Sequence, residues 1–415
     1  MDYKELSFLY HMDTGADRDK TIQTEYKRRF YAASTFRTGF VVDAGELFIA
    51  VPKELSLAVE QTMRLECRII GLLSDLPALA KSALLRSLVL DEVVSSNAIE
   101  DIHSTRRQVR DAIETEQAKG DNNRFKEFAT LYLNIIDGVD EVPRTPADIR
   151  SVYDCVTAGE SDEQSLPDGR FFRKEGVEII GSGGKVIHRG LYPEKKITQA
   201  IKDMISLTRN TEIPALYSTL ASHYVFEYIH PFYDGNGRTG RYLLSLMLSK
   251  VLSVPTALSL SRAMAENRTE YYRAFKSADD GLNRGELTFF VYKMLDLVQA
   301  AQLSVIARLE KSRDDFDALS AAIDLIAEKE QLKQQEKEFV FLLLQHEVFG
   351  LLDDMPLSEL ALGTRLKEQM ARKHIAALEE KGICEKRRKY SPISFALTPA
   401  FKQKYAKSHL SFMQY

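Results

Sequence analysis

Residues 230–241 combine side chains that suit the handling of a bound polyphosphate. The segment reads His-Pro-Phe-Tyr-Asp-Gly-Asn-Gly-Arg-Thr-Gly-Arg. A triphosphate carried with a divalent cation needs backbone N–H groups that no side chain hinders, which Gly235 and Gly237 can offer. It also needs a carboxylate to hold the metal, and Asp234 lies beside the glycines.

The charged residues of the segment fit the same chemistry. Arg238 and Arg241 are three positions apart, so a helix that begins at the glycines would present both guanidiniums to phosphate from its first turn. That turn also attracts anions. His230, with an ordinary pKa of about 6.5, is largely neutral at pH 7 and can accept a hydroxyl proton. Singly, these residues are typical of a turn or a polar helix end, but their conjunction favours a functional site.

Apolar residues on both sides predict two helices that hold this segment. Tyr217, Leu220 and Tyr224 recur at helical spacing before it. Residues 242–252 are apolar nearly all round, which is typical of a central buried helix. The segment is therefore predicted to be a loop between helices, and His223 is interpreted as a core histidine.

The segment resembles the signature of the Fic domain family, His-x-Phe-x-Asp/Glu-Gly-Asn-Gly-Arg-x-x-Arg, and it has the required residue at every fixed position. The resemblance implies a mainly α fold, with a helical core and a small β-hairpin. It implies a protein adenylyltransferase, a nucleotidyltransferase that moves AMP from ATP to a Tyr, Thr or Ser hydroxyl of a target protein or of itself. By position, His230 would be the base, Asp234 would hold Mg²⁺, and Phe232 would anchor the loop.

The resemblance also assigns residues to the nucleotide. Backbone N–H groups and the Asn side chain would cradle phosphate oxygens, the two arginines would meet the outer phosphates, and aromatic rings after the loop would shape the base pocket. These residues are Gly235, Asn236, Gly237, Arg238, Arg241, Tyr271 and Tyr272. UMP transfer and phosphate transfer remain alternatives, because such a loop says little about the base or about which phosphate reacts.

Two upstream elements match further parts of the family. Residues 177–180 and 186–187 read as short strands around a glycine-rich turn, like the hairpin, called the flap, that aligns a target segment by main-chain pairing. Residues 95–102 resemble the family's inhibitory helix, with Ser96 and Glu100 in place, and Asp101 where Gly or Asn is usual. The resemblance implies that Glu100 pairs with Arg241 and blocks the γ-phosphate position. Some relatives also remove AMP with this Glu, which leaves de-AMPylation open.

Composition favours an intracellular globular enzyme. The chain has 415 residues, 44% hydrophobic and 28% charged, enough for two or three cores. Three cysteines far apart argue against a disulfide framework. We find no signal-like start and no uninterrupted apolar stretch of about 18 residues, so we expect a cytoplasmic protein without membrane contact. No zinc-like spacing occurs, so Mg²⁺ is the metal we expect.

The predicted organisation has four parts. They are an N-terminal region at 1–84 whose first forty residues look irregular, a catalytic domain at 85–300 that includes an inhibitory helix at about 86–101, a connecting helix at 301–335, and a winged-helix-like domain at 336–415.

The C-terminal part leaves a second class of function open. Residues 331–415 carry 14 Lys and Arg against 10 Asp and Glu, a small basic excess that is weak for a nucleic-acid binder. This part could dock DNA, dock a protein or form a homodimer. The alternative to an enzyme is therefore a DNA-binding transcriptional regulator with a nucleotide-sensing Fic domain, against which the intact His230 and Asp234 argue.

Overall fold

A computed structural model describes residues 3–114, 125–160, 166–180, 184, 186–350, 354–388 and 393–406. The chain is mainly helical with small two- and three-stranded sheets, so the predicted fold class is confirmed. It divides into two compact units, one of Met1–Arg68 with Leu88–Val305 and one of Ile69–Ser87 with Ile306–Tyr415. The chain passes from one unit to the other after Arg68, after Ser87 and after Val305. The boundaries predicted from the sequence come after residues 84 and 300.

The N-terminal residues of the first unit are ordered rather than irregular, so that expectation is wrong. They form α1 (Leu6–Met12), α2 (Arg18–Phe30), β1 (Thr35–Val42) and β2 (Gly45–Ala50). Buried Arg29 pairs with Glu286 at 2.9 Å, and the Tyr3 hydroxyl donates to the same carboxylate at 2.5 Å. A partner this distant along the chain leaves no local sequence pattern.

The remaining elements of the first unit are mostly helices. They are α3 (Lys53–Asp75), α4 (Ala78–Ile99), α5 (Arg106–Glu114), α6 (Lys126–Asp137), α7 (Pro146–Val156), β3 (Glu178–Ile180), β4 (Val186–Arg189), α8 (Glu194–Leu207), α9 (Ala215–Ile229), α10 (Asn236–Leu248), α11 (Val254–Ala257), α12 (Leu260–Glu266), α13 (Arg268–Ala278) and α14 (Thr288–Lys329). Three of these helices, α3, α4 and α14, have residues in both units. The predicted inhibitory helix is the end of α4, which begins earlier than expected because the Ala- and Leu-rich run before it is helical.

Three elements place the site. Helix α7 starts with a capping box, in which Thr145 Oγ1 accepts from Asp148 N and Asp148 Oδ2 accepts from Thr145 N, and with Pro146 in its first turn. Helices α9 and α10 are buried on nearly every face and pack against each other. Apolar residues all round a helix are what a central position in a core requires.

The predicted flap is the antiparallel pair β3 and β4, with Ile179 opposite His188. The glycine turn that the sequence places between them falls largely at residues 181–183 and 185, outside the described residues.

The second unit contains α15 (Gln334–Phe349), β5 (Met355–Pro356), α16 (Leu357–Gly363), α17 (Glu368–Glu380), β6 (Cys384–Arg388), β7 (Ser394–Leu397) and α18 (Pro399–Ala406). The sheet is antiparallel in the order β5-β7-β6. The hydrophobic core of this unit includes Phe339, Leu360, Ile375 and Phe395. The winged-helix interpretation of this part stays a prediction.

Helix α14 qualifies the expectation about membrane spans. Over the described residues it is the one helix long and apolar enough to cross a membrane, with an 18-residue window of mean hydropathy 1.3. Of that window, 56% is buried inside the protein, as in the core helix of a globular unit.

Candidate active site

The loop between α9 and α10 begins with a residue in an uncommon backbone conformation. His230 has φ of 49°, in the left-handed region, and its N–H donates to Phe226 O at 3.0 Å. A non-glycine residue in this conformation must be held there by its surroundings. The turn ends α9 at Ile229.

The His230 imidazole is kept uncharged. Burial lowers its pKa to about 3, and the neighbouring His188 and Arg173 lower it further in the same direction. At neutral pH the ring is therefore neutral and has a lone pair available to accept a proton.

Packing beneath the loop fixes its shape. The Phe232 side chain is fully buried, with its ring stacked on Tyr153 at a centroid distance of 3.8 Å and tilted against Phe172 at 5.6 Å. This is the anchoring place that the sequence predicts for Phe232.

The start of α10 shows why a glycine precedes it. Gly235 has φ of 77°, and a Cβ there would lie 2.8 Å from Thr157 Cγ2 at the end of α7. Its N–H donates to Asp234 Oδ1 at 2.6 Å, so this N–H is used within the loop.

Asp234 is exposed beside these glycines. Within the described ranges, no group of three or more His, Cys, Asp or Glu could enclose a metal. Mg²⁺ usually binds through one or two carboxylates together with substrate phosphates and water, so a single accessible carboxylate fits it.

Asn236 contacts the backbone of the loop itself. Its side chain bridges the loop, because Oδ1 accepts from Phe232 N at 2.9 Å and Nδ2 donates to Phe232 O at 2.8 Å. Both ends of the amide are thereby engaged and the residue is 2% exposed. Asn236 therefore locks the loop, and the backbone N–H groups of the first turn of α10 have no acceptor within the helix.

Arg241 is held by the end of α4. Its Nη1 pairs with Glu100 Oε1 at 2.8 Å, its Nε donates to Ser96 Oγ at 3.0 Å, and its Nη2 donates to Ser96 O at 2.9 Å. Burial opposes the charge on Arg241, but the adjacent Glu100 carboxylate raises its pKa. A Cβ on Gly237 would collide with Glu100 Oε1. The Glu100 carboxylate thus lies directly on the glycine turn, where an anion would sit.

Arg238 is also paired, with a residue that the sequence analysis missed. Both of its terminal nitrogens donate to Glu160, Nη2 to Oε2 at 3.0 Å. The Arg238 side chain is 3% exposed. Glu160 lies just after the end of α7, and no sequence motif marks it. In this state both predicted phosphate-binding arginines hold carboxylates.

The two tyrosines after the loop are placed differently. Tyr271 is 2% exposed, and its hydroxyl lies 2.9 Å from His223 Nε2. It is a core residue, so the structure does not support a base-stacking role for it. Tyr272 is 44% exposed, and it is close enough to Glu100 and Arg241 for their charges to affect its pKa, which burial raises. Of the pair, Tyr272 has a ring available to a nucleotide base.

His223 is buried, and burial lowers its pKa to about 3, followed by the charge of Arg241. This is the core position that the sequence predicts for it.

Comparisons with known proteins agree on one domain. The family described as Fic/DOC family matches residues 143–248. The protein adenylyltransferase Fic of Drosophila grimshawi is 36% identical over 91 residues, which are 21% of this chain and 18% of that protein. The protein adenylyltransferase fic-1 of Caenorhabditis elegans is 31% identical over 122 residues, 29% of this chain and 22% of the relative. The match thus spans about a fifth of the length of these curated relatives.

The chain is also similar to solved structures. A Fic family protein from Desulfovibrio desulfuricans G20 has a TM-score of 0.48 and 21% identity, with 82% of this chain and 96% of that one covered. Fic-1 from C. elegans, residues 134–508, has a TM-score of 0.46 and 19% identity, with 62% and 74% covered.

Proposed function

Because residues 143–248 form a Fic/DOC family domain, we propose that this chain is a protein adenylyltransferase that moves AMP from ATP to a hydroxyl side chain of a target protein or of itself. The observation that carries the proposal is the loop from 230 to 241. It joins a neutral imidazole, an exposed carboxylate and the N-terminal turn of α10 within one short connection.

His230 would act on the nucleophile. The oxygen of a Tyr, Thr or Ser hydroxyl attacks the α-phosphorus of ATP, and its proton passes to the imidazole. The bond from that phosphorus to the oxygen bridging to the β-phosphate breaks, and pyrophosphate leaves. Alignment and charge stabilisation dominate such transfers, so a rigid loop matters as much as the base.

The first turn of α10 would bind the phosphates. Its N–H groups and the positive end of the helix dipole favour anions. Arg241 and Arg238 would add guanidinium contacts once their carboxylate partners move away. Mg²⁺, when held by Asp234, would neutralise phosphate charge.

The end of α4 would inhibit this binding. Glu100 forms an ion pair with Arg241 and lies against Gly237. Its carboxylate would therefore both accept hydrogen bonds from the guanidinium and repel phosphate. The Glu100 side chain is 32% exposed, so water can reach it. Removal of AMP by hydrolysis would need such access, which keeps de-AMPylation within the proposal.

The nature of the transferred group can be tested directly. The full chain and its Glu100→Gly variant are incubated with each of the four ribonucleoside triphosphates and Mg²⁺, and the intact mass is measured. We expect a gain of one or more AMP groups with ATP, larger in the variant, and none after chelation of Mg²⁺. A gain of UMP or of phosphate would instead identify one of the neighbouring reactions.

The second unit supports a second candidate, a DNA-docking surface. Around the start of α17, Arg365, Lys367, Arg372 and Lys373 are exposed. None of them takes part in the ion pairs found in the described part of the chain. Exposed cations along a helix suit phosphate backbones.

This candidate is tested with the whole chain. Arg372→Gln combined with Lys373→Gln should weaken binding to duplex DNA and flatten its salt dependence by about 0.9 in log–log slope per lost phosphate contact. The matched control is Lys195→Gln with Lys196→Gln, an exposed pair on α8. No binding of the parent chain at low salt would exclude DNA and leave protein docking or a homodimer for this surface.

A further inference from the structure

Donors from the flap region satisfy four consecutive carbonyls at the end of α9. A helix leaves its last carbonyls without partners, so they need donors from elsewhere. Here the donors come from around β3 and β4, and Arg173 supplies two of them. The pairs are His188 Nε2 with Tyr228 O at 2.7 Å, Leu191 N with Ile229 O at 3.1 Å, Arg173 Nε with His230 O at 2.9 Å, and Arg173 N with Pro231 O at 3.2 Å.

Arg173 is an unusual buried cation. It is 0% exposed, and among the described residues it forms no ion pair and its Nη2 has no hydrogen-bond partner. Its Nη1 donates to Glu175 O, another backbone carbonyl. Burial lowers the pKa of Arg173 to about 10, which still leaves it charged at neutral pH. A buried charge normally needs a counter-ion, so carbonyl dipoles at the end of a helix must supply the compensation here.

Gly190 lets the guanidinium come this close. A Cβ at Gly190 would collide with Arg173 Nη2 and would lie 3.0 Å from His230 Cβ. There is therefore no room for a side chain at Gly190 between the Arg173 guanidinium and the His230 side chain.

We propose that Arg173 is a positioning residue for His230, which holds the left-handed backbone of the histidine through its carbonyl and places a fixed positive charge beside the ring. The inference rests on the proposed function, because it concerns the geometry of His230, the base in that function. Without the guanidinium, His230 O loses its donor and the φ of 49° loses a restraint.

The charge has its own effect on the ring. The groups that face the His230 imidazole are His188 from β4, Arg173 before β3, and the backbone of Glu227 on its own helix. Arg173 and His188 both disfavour a protonated ring, whereas a hydrogen bond with the backbone of Glu227 favours it. Arg173 carries its charge at neutral pH, so its removal should raise the pKa of His230.

The first measurement separates positioning from binding. In the Glu100→Gly background, Arg173→Gln should lower the self-labelling rate at saturating ATP about 100-fold, the lower range of a lost general base. ATP affinity by calorimetry should change less than about threefold, because the hydrogen bonds that Arg173 forms with described residues go to carbonyls of Glu175, His230 and Pro231, which precede α10. Arg173→Lys keeps the positive charge but loses the planar set of guanidinium donors, and its labelling rate should lie between those of Arg173→Gln and the parent. Arg144→Gln, at an exposed arginine paired with Glu141, is the matched control and should change neither quantity.

The second measurement does not depend on catalysis. Histidines labelled with ¹³C at Cε1 are titrated by NMR in the full chain, and the His230 signal is assigned by its absence in His230→Ala. Arg173→Gln should move the His230 titration upward towards its ordinary pKa, with Arg173→Lys closer to the parent.

The results distinguish a failure of the positioning role from a failure of the proposed function. An unshifted His230 titration in Arg173→Gln, or ATP affinity that falls in step with the rate, would overturn the positioning role. If Arg173→Gln fails to fold, the same comparison is made with Arg173→Lys, whose unchanged rate would overturn it equally. A parent chain that never labels itself, but whose His230 titration responds to Arg173, would count against the proposed function alone.

Discussion

His230→Ala should lower the rate of AMP transfer by about 10²- to 10⁴-fold, the usual contribution of a general base. ATP affinity should stay within about threefold, since the phosphates would be bound by the first turn of α10 and the ring would contact only the incoming hydroxyl. Transfer is measured with labelled ATP, and affinity by calorimetry, both in the Glu100→Gly background so that a rate can be observed.

His103→Ala is the matched control for this experiment, because His103 is exposed and lies outside the loop. It should leave both quantities unchanged. Transfer by His230→Ala at the parent's rate would show that solvent or another group takes the proton. Loss of ATP binding in that variant would mean that the left-handed turn had collapsed, so the affinity measurement also reports on the shape of the loop.

Much of this site could be predicted because its parts are contiguous in sequence. Within one dozen residues, side-chain type and spacing define a loop and the start of a helix. The apolar flanks predict α9 and α10, which the structure shows as buried helices. The pairing of Glu100 with Arg241 joins distant segments, and there the family pattern, rather than periodicity, supplied the partner.

The parts that escaped prediction depend on tertiary contacts. Arg173 reaches His230 across 57 positions and Glu160 reaches Arg238 across 78, and neither residue belongs to a periodic pattern. For Asn236, residue type alone does not tell which way the amide faces. In the folded loop, two backbone groups of Phe232 lie within its reach.

Glu100→Gly should raise ATP affinity and self-labelling together, by roughly 5- to 150-fold, the range of typical couplings between two sites. The Glu100 carboxylate pairs with Nη1 of Arg241 and lies against Gly237. A triphosphate must therefore displace this carboxylate and overcome its negative charge. Ser96 would still hold Arg241 through its other nitrogens, so the guanidinium should stay in place to receive phosphate. Affinity is measured by calorimetry, and labelling with labelled ATP.

Two further variants separate charge from contact in this prediction. Glu100→Gln removes the repulsion but can still accept a hydrogen bond from Arg241, so it should activate less than Glu100→Gly. Glu141→Gln, at an exposed acid 75% open to solvent, should have no effect. If Glu100 also supports hydrolysis, AMP already attached should persist on Glu100→Gly and disappear from the parent chain. Equal labelling of the parent and Glu100→Gly would mean that the ion pair seen here does not limit access of ATP, and the end of α4 would then be a structural support for Arg241 alone.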